Sequence, residues 1–125
     1  MPLPLARFNR LVVRLMTGQH RHSSQELTSS APIRINSGLV KLNHASTIIA
    51  ATLDAPQTGD ELYIINTSAS GTAAHTVTLP SGVTSDGTNN TATLNAPGEA
   101  LHVIATSPTR WFILENIGAV GLSTV

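Results

Sequence analysis

Side chains that could do chemistry are few and scattered in this sequence. Five histidines, seven carboxylates and one tryptophan are spread over 125 residues, and there is no cysteine. Without thiols there is neither a disulfide framework nor a thiolate metal site. His20 and His22 could share a metal, but two ligands make an incomplete site. His75 falls on the apolar side of the alternating run His75-Thr76-Val77-Thr78-Leu79, and His102 interrupts the apolar run Leu101 to Ile104. Copies of one such histidine around a threefold axis would make a metal site. A packed, hydrogen-bonded imidazole at an interface is the simpler expectation, and His44 carries no usable signal.

The carboxylates point the same way. Asp54 and Glu99 sit beside Ala-Pro turns, where a carboxylate commonly accepts from nearby backbone N–H groups. Asp86, Asn89 and Asn90 offer oxygen atoms to a cation, yet Asp86-Gly87 is turn chemistry and no calcium-loop spacing is present. No glycine loop for nucleotides and no Gly-x-Ser-x-Gly elbow occurs. Trp111 beside Arg110 suits either sugar stacking or an anchor in a core or interface, and the anchor is expected. Asn66-Thr67-Ser68 and Asn89-Asn90-Thr91 match the glycosylation triplet, a pattern that arises by chance in a chain rich in Thr, Ser and Asn. The expectation is a protein with no catalytic residue, no metal and no cofactor.

The elements that position these residues are strands. Leu53-Asp54-Ala55-Pro56, followed by Gly59 and the apolar run Leu62 to Ile65, reads as strand, polar turn, buried strand. The device returns as Leu94-Asn95-Ala96-Pro97, Gly98 and Leu101 to Ile104, with His102 in the place of Tyr63. Further strands are expected from Ile33, Ile35 and Leu39-Val40, from Thr47 to Leu53, from His75 to Leu79, from Thr91 to Leu94 and from Arg110 to Leu114. Residues 47–79 and 91–114 then look like two three-stranded meanders. The fold class is all-β: a compact antiparallel sandwich or flattened barrel over residues 32–125, closed by an apolar tail. Both alternating faces are apolar in Leu62–Ile65 and Trp111–Leu114, so one face has to meet something other than the domain core. Tyr63, Ile65, His75, His102, Trp111 and Phe112 are the expected subunit interface.

Charge separates the chain into two parts. Residues 1–41 hold six basic residues against Glu26, a net +5, and residues 42–125 hold Arg110 against six acids, a net −5. Only 11% of residues are charged, against about 25% in an ordinary domain. Either a Thr/Ser-rich surface replaces the missing charge, or other subunits cover much of the surface. Residues 1–31 form the expected arm and linker: Leu5, Phe8, Leu11, Val12 and Leu15 follow helical spacing, with Arg7, Arg10 and Arg14 on another flank. The arm is helical or orders only when docked, and Arg7, Phe8, Arg10, Leu11, Arg14 and Leu15 are its expected contacts. An imported organellar presequence would share this composition. Four arginines without a nucleic-acid motif favour a protein partner over DNA or RNA. No apolar run reaches the length of a membrane span.

Strung together, the turn and strand-end motifs resemble a family. The runs Leu53-x-Ala-Pro-x-x-Gly-Asp-Glu-Leu-x-Ile-Ile-Asn-Thr-Ser68, His75-Thr-Val-Thr-Leu-Pro80, Asp86-Gly-Thr-Asn-Asn-Thr-Ala-Thr-Leu94, Ala96-Pro-Gly-Glu-Ala-Leu101 and Arg110-Trp-Phe-Ile-Leu-Glu-Asn116 are similar to small β domains of tailed bacteriophage structural proteins. The resemblance is closest to capsid cement, or decoration, proteins, including those of cyanophages, and spans about Ile33 to Gly118. It implies a homotrimer on the outer surface of the virion, seated on the lattice of the major capsid protein, stabilising the shell without catalysis. A trimeric tail or fibre module that binds host glycan through Trp111 or residues 81–90 is the alternative.

Overall fold

Two proline-containing turns decide the architecture, because each carries the chain from one sheet to the other. The structure, a computed structural model, describes residues 23–125. The expected arm contacts Arg7, Phe8, Arg10, Leu11, Arg14 and Leu15 lie outside the described residues. In chain order the strands are β1 (Ser24–Leu27), β2 (Leu39–Leu42), β3 (Ala50–Thr52), β4 (Glu61–Asn66), β5 (His75–Thr78), β6 (Thr91–Leu94), β7 (Ala100–Ser107), β8 (Arg110–Ile117) and β9 (Gly121–Ser123). They build a five-stranded sheet, β1-β2-β4-β7-β8, and a four-stranded sheet, β3-β5-β6-β9. Leu62, Ile64, Leu101 and Val103 from the larger sheet and Ala51, Val77, Ala92 and Leu94 from the smaller belong to one buried cluster with Trp111. The fold is an all-β sandwich, and neither sheet closes into a barrel.

Four expectations are corrected. The two halves are not separate meanders: β3 and β5 lie in one sheet and β4, between them in sequence, lies in the other. The sheets are mixed rather than antiparallel, since β1, β2 and β4 run parallel and so do β3 and β5. Both departures have one cause. A chain that crosses between sheets returns to its first sheet in the same direction, whereas a hairpin reverses it. The third concerns residues 23–31, expected as linker, where Ser24–Leu27 pairs with β2 as an edge strand and Leu27 is buried. Its single inward apolar residue gave too weak a pattern to read. The fourth is Ile35, expected to start a strand, which instead opens one turn of 3-10 helix, Ile35–Ser37.

The repeated turns are related by a local twofold about the β4–β7 pair, where Tyr63 lies opposite His102, its own counterpart in the repeat. Gly59 N–H donates to Ala105 O (2.8 Å) and Gly98 N–H to Asn66 O (2.8 Å). Ala105 N–H donates to Asp60 O (2.7 Å), and Asn66 N–H to Glu99 O (2.9 Å). Both glycines hold positive φ, +95° and +87°, where a side chain is strained. The carboxylates close the turns: Asp60 Oδ2 accepts from Gln57 N–H at 2.8 Å, and Glu99 Oε1 from Asn95 and Ala96 N–H at 2.6 and 3.1 Å. Asp60, not Asp54, is thus the counterpart of Glu99. Around this frame the core side chains Leu62, Ile64, Leu94 and Leu101 are almost fully enclosed, each contributing about 1.5–3 kcal/mol relative to an exposed position.

Candidate functional site

One interior cluster has the composition of a nucleophile and its base. Ser68 Oγ lies 3.3 Å from His75 Nε2. The surrounding bonds give it a structural role. His75 Nδ1 accepts from Ile49 N–H at 3.0 Å, so the neutral ring carries its proton on Nε2, which donates to His44 O at 3.0 Å. A protonated Nε2 has no lone pair with which to take the serine proton. Ser68 Oγ meanwhile donates to His44 O (3.0 Å) and accepts from His44 N–H (3.1 Å). Both residues are buried, with His75 at 0% exposure. The cluster pins the 43–49 segment onto the 67–74 loop and strand β5. His44 adds to it, its Nδ1 accepting from Ser46 and Thr47 N–H.

The remaining polar candidates are also turn-builders. Asp86 Oδ1 accepts from Thr88 and Asn89 N–H at 2.9 and 2.7 Å, and its Oδ2 from Asn89 Nδ2 at 2.8 Å. Those backbone donors, first Asn89 and then Thr88, lower the carboxyl pKa below its ordinary 3.8. Asn66 is buried at 2% and donates to Leu94 O, so it offers no side chain to a glycan. Among the described residues, no group of three or more His, Cys, Asp or Glu side chains could hold a metal ion.

The outer face of the five-stranded sheet is different. Strand pairing sets its residues in three rows. The first runs Glu61, Ile104, Phe112. The second runs Ser24, Leu39, Tyr63, His102, Glu115. The third runs Glu26, Lys41, Ile65, Ala100, Ile117. Leu114 adds to them as the extra residue of a bulge between the His102 and Val103 pairings. Phe112, Leu114 and Ile117 are 47%, 46% and 54% exposed. Tyr63 and His102 stack at 3.9 Å between ring centroids with planes 10° apart. His102 Nε2 meets Glu61 Oε2 at 2.9 Å, and its Nδ1 lies 3.9 Å from Glu115 Oε1. The result is an apolar field bordered by Glu26, Glu61 and Glu115 and by one cation, Lys41.

The four-stranded sheet shows the opposite character. Its outward rows are Ala50, Thr76, Thr93, Gly121 and Thr52, Thr78, Thr91, Ser123. Apart from Thr91, which is buried, the hydroxyls solvate that face in place of charge. The Thr/Ser-rich surface that would explain the low charge therefore belongs to one sheet, and the exposed Phe112, Leu114 and Ile117 belong to the other.

Of the expected interface residues, Tyr63, Ile65, His102 and Phe112 share the outer face of the five-stranded sheet. His75 and Trp111 do not. Both are enclosed within a single chain, Trp111 at 1% exposure in the core and His75 on the inward side of β5. Trp111 starts an alternation that turns it inward and Phe112 outward. Leu39, Ile104, Ile117 and the carboxylates Glu61 and Glu115 complete the face and were not anticipated. Ile104 could have been found from its spacing to His102, whereas Leu39 needed knowledge of which strand lies beside β4. Among the described residues, no helix is long and apolar enough to cross a membrane. Compared with family models and with curated proteins, the sequence matches none.

Proposed function

We propose that this chain is a capsid decoration subunit of a tailed bacteriophage, which sits as a homotrimer on the major capsid protein lattice and stabilises the shell by adhesion alone. The observation that carries this reading is the outer face of the five-stranded sheet, where Phe112, Leu114 and Ile117 remain about half exposed beside Ile104 and Ile65. Completing the burial of each half-exposed side chain is worth about 1 kcal/mol, half of the usual value. A contiguous set therefore supplies useful affinity to a repetitive lattice that binds many copies. The resemblance of the turn and strand-end motifs to cement proteins gives the partner. The polar clusters fit the same reading, because Ser68, His75, Asp60, Asp86 and Glu99 are engaged in holding loops. The glycan-binding alternative loses its main ring, since Trp111 is enclosed.

Copy number tests the proposal. Quantitative mass spectrometry on purified virions carrying this chain should find it in amounts comparable with the major capsid protein. A handful of copies per particle, as for a tail or fibre component, would overturn it.

A further inference from the structure

We propose that the cavity beneath the loop joining β5 to β6 is a binding site for a water molecule, held between the indole N–H of Trp111 and the hydroxyl of Ser85. The argument starts from the indole, which donates one hydrogen bond and accepts none. Trp111 is 1% exposed, and its Nε1 is buried without a hydrogen-bond partner among the described residues. Buried donors are nearly always paired, so an enclosed N–H of this kind calls for an acceptor within reach. The main chain of Trp111 is satisfied, its N–H donating to Thr84 O at 2.8 Å. The demand comes from the ring alone.

The same ring lines a cavity of about 30 Å³ between the two sheets. One water needs about 10–15 Å³ of such space, so the cavity is large enough. Leu53, Ile64, Val77, Leu101 and Val103 supply much of its wall, and a wholly apolar cavity stays dry. This one has a polar side, where Ser85, Asn90 and Thr91 close it. Ser85 Oγ donates to Asn89 O at 3.1 Å, which uses its hydrogen and leaves its lone pairs free to accept. Asn90 is turned to the chain end: its Oδ1 accepts from Val125 N–H at 2.9 Å and its Nδ2 donates to Val125 O at 3.1 Å. Ser85 is therefore the acceptor for the water, and Nε1 the donor to it. No charged residue lines the wall, so an ion would be buried without compensation. The water ties the loop to the core from inside. From outside, Thr84 already pairs with β8, its N–H donating to Thr109 O at 3.1 Å. The site holds whether or not the chain decorates a shell.

A high-resolution crystal structure of the full-length chain tests the site directly. Every independent copy should hold a water about 2.7–3.2 Å from both Trp111 Nε1 and Ser85 Oγ. An empty cavity, or Nε1 donating directly to a protein oxygen, would overturn the proposal. A water that touches only one of the two atoms would overturn it as well. Energetic coupling gives a second readout in solution. Trp111 Nε1 and Ser85 Oγ do not bond to each other, so a bridging water has to carry any hydrogen-bond coupling between them. Ser85→Ala, Trp111→Phe and the double variant should be compared by urea denaturation, with circular dichroism establishing that each is folded. Ser85→Ala should lower the midpoint less in the Trp111→Phe background than in the wild type. An equal lowering in both backgrounds would contradict a shared water. Should Trp111→Phe fail to fold, the wild-type crystal structure still decides the matter.

Discussion

At Trp111 and Phe112, neighbours in one strand, the chain assigns one aromatic ring to the core and the next to the surface. The consequences of removing them should differ in kind. Trp111→Ala leaves a cavity in the shared core and should cost about 3–5 kcal/mol of stability in urea denaturation. Phe112→Ala should cost about 1 kcal/mol or less, since the ring is already half exposed. Asp86 offers a second residue-scale test through pH. Its folded-state pKa is lowered below 3.8 by the Asn89 and Thr88 donors. The stability it contributes is therefore present above the unfolded value and lost as pH falls through the folded one. Asp86→Asn should be less stable than the wild type at pH near neutrality, and the gap should narrow as pH falls below 3.8. Urea midpoints at the two ends of that range would measure it, and a constant gap would mean that the carboxylate is not the source.

At the scale of elements, the turns carry the fold. Gly71 shows how tightly the loops are packed: a Cβ there would overlap the Ala45 carbonyl, and its φ is +98°. At Gly82 a Cβ meets nothing, although φ is +84°. Gly82→Ala should therefore cost only the backbone term, about 1–2 kcal/mol. Gly71→Ala should cost clearly more, because the 43–49 segment has to move away from it. Comparable urea midpoints for the two variants would contradict this packing. The same elements show what was legible in the sequence. Pro56, Gly59, Pro97 and Gly98 announced both turns, since backbone geometry is written in local residue type. Strand β5 followed from alternation and β4 and β7 from short apolar runs after the turns, signals that are also local. Which strand lies beside which is not local, so the interleaving of the halves and the parallel pairs stayed hidden. Strand β1 was missed because an edge strand with only Leu27 buried lacks a periodic signal. The site was half legible: doubly apolar strands announced an outer apolar face, and alternation put His75 on the same side as Val77 and Leu79, but where both faces are apolar it could not say which of Trp111 and Phe112 turns inward.

For the whole molecule, the two sheets present unlike surfaces, one of hydroxyls and one of apolar side chains edged by carboxylates. The central claim is that the apolar one is the surface by which the protein adheres. It is tested most directly by mixing purified protein with shells that lack it and measuring occupancy after sedimentation. The wild type and Ile104→Glu combined with Phe112→Glu should be compared, with Thr76→Glu combined with Thr93→Glu as the control on the opposite sheet. Circular dichroism melting would establish that all three are folded. The wild type and the threonine variant should decorate the shells to similar occupancy, while the Ile104 and Phe112 variant remains in the supernatant. Equal decoration by a folded Ile104 and Phe112 variant would contradict the assignment of this face.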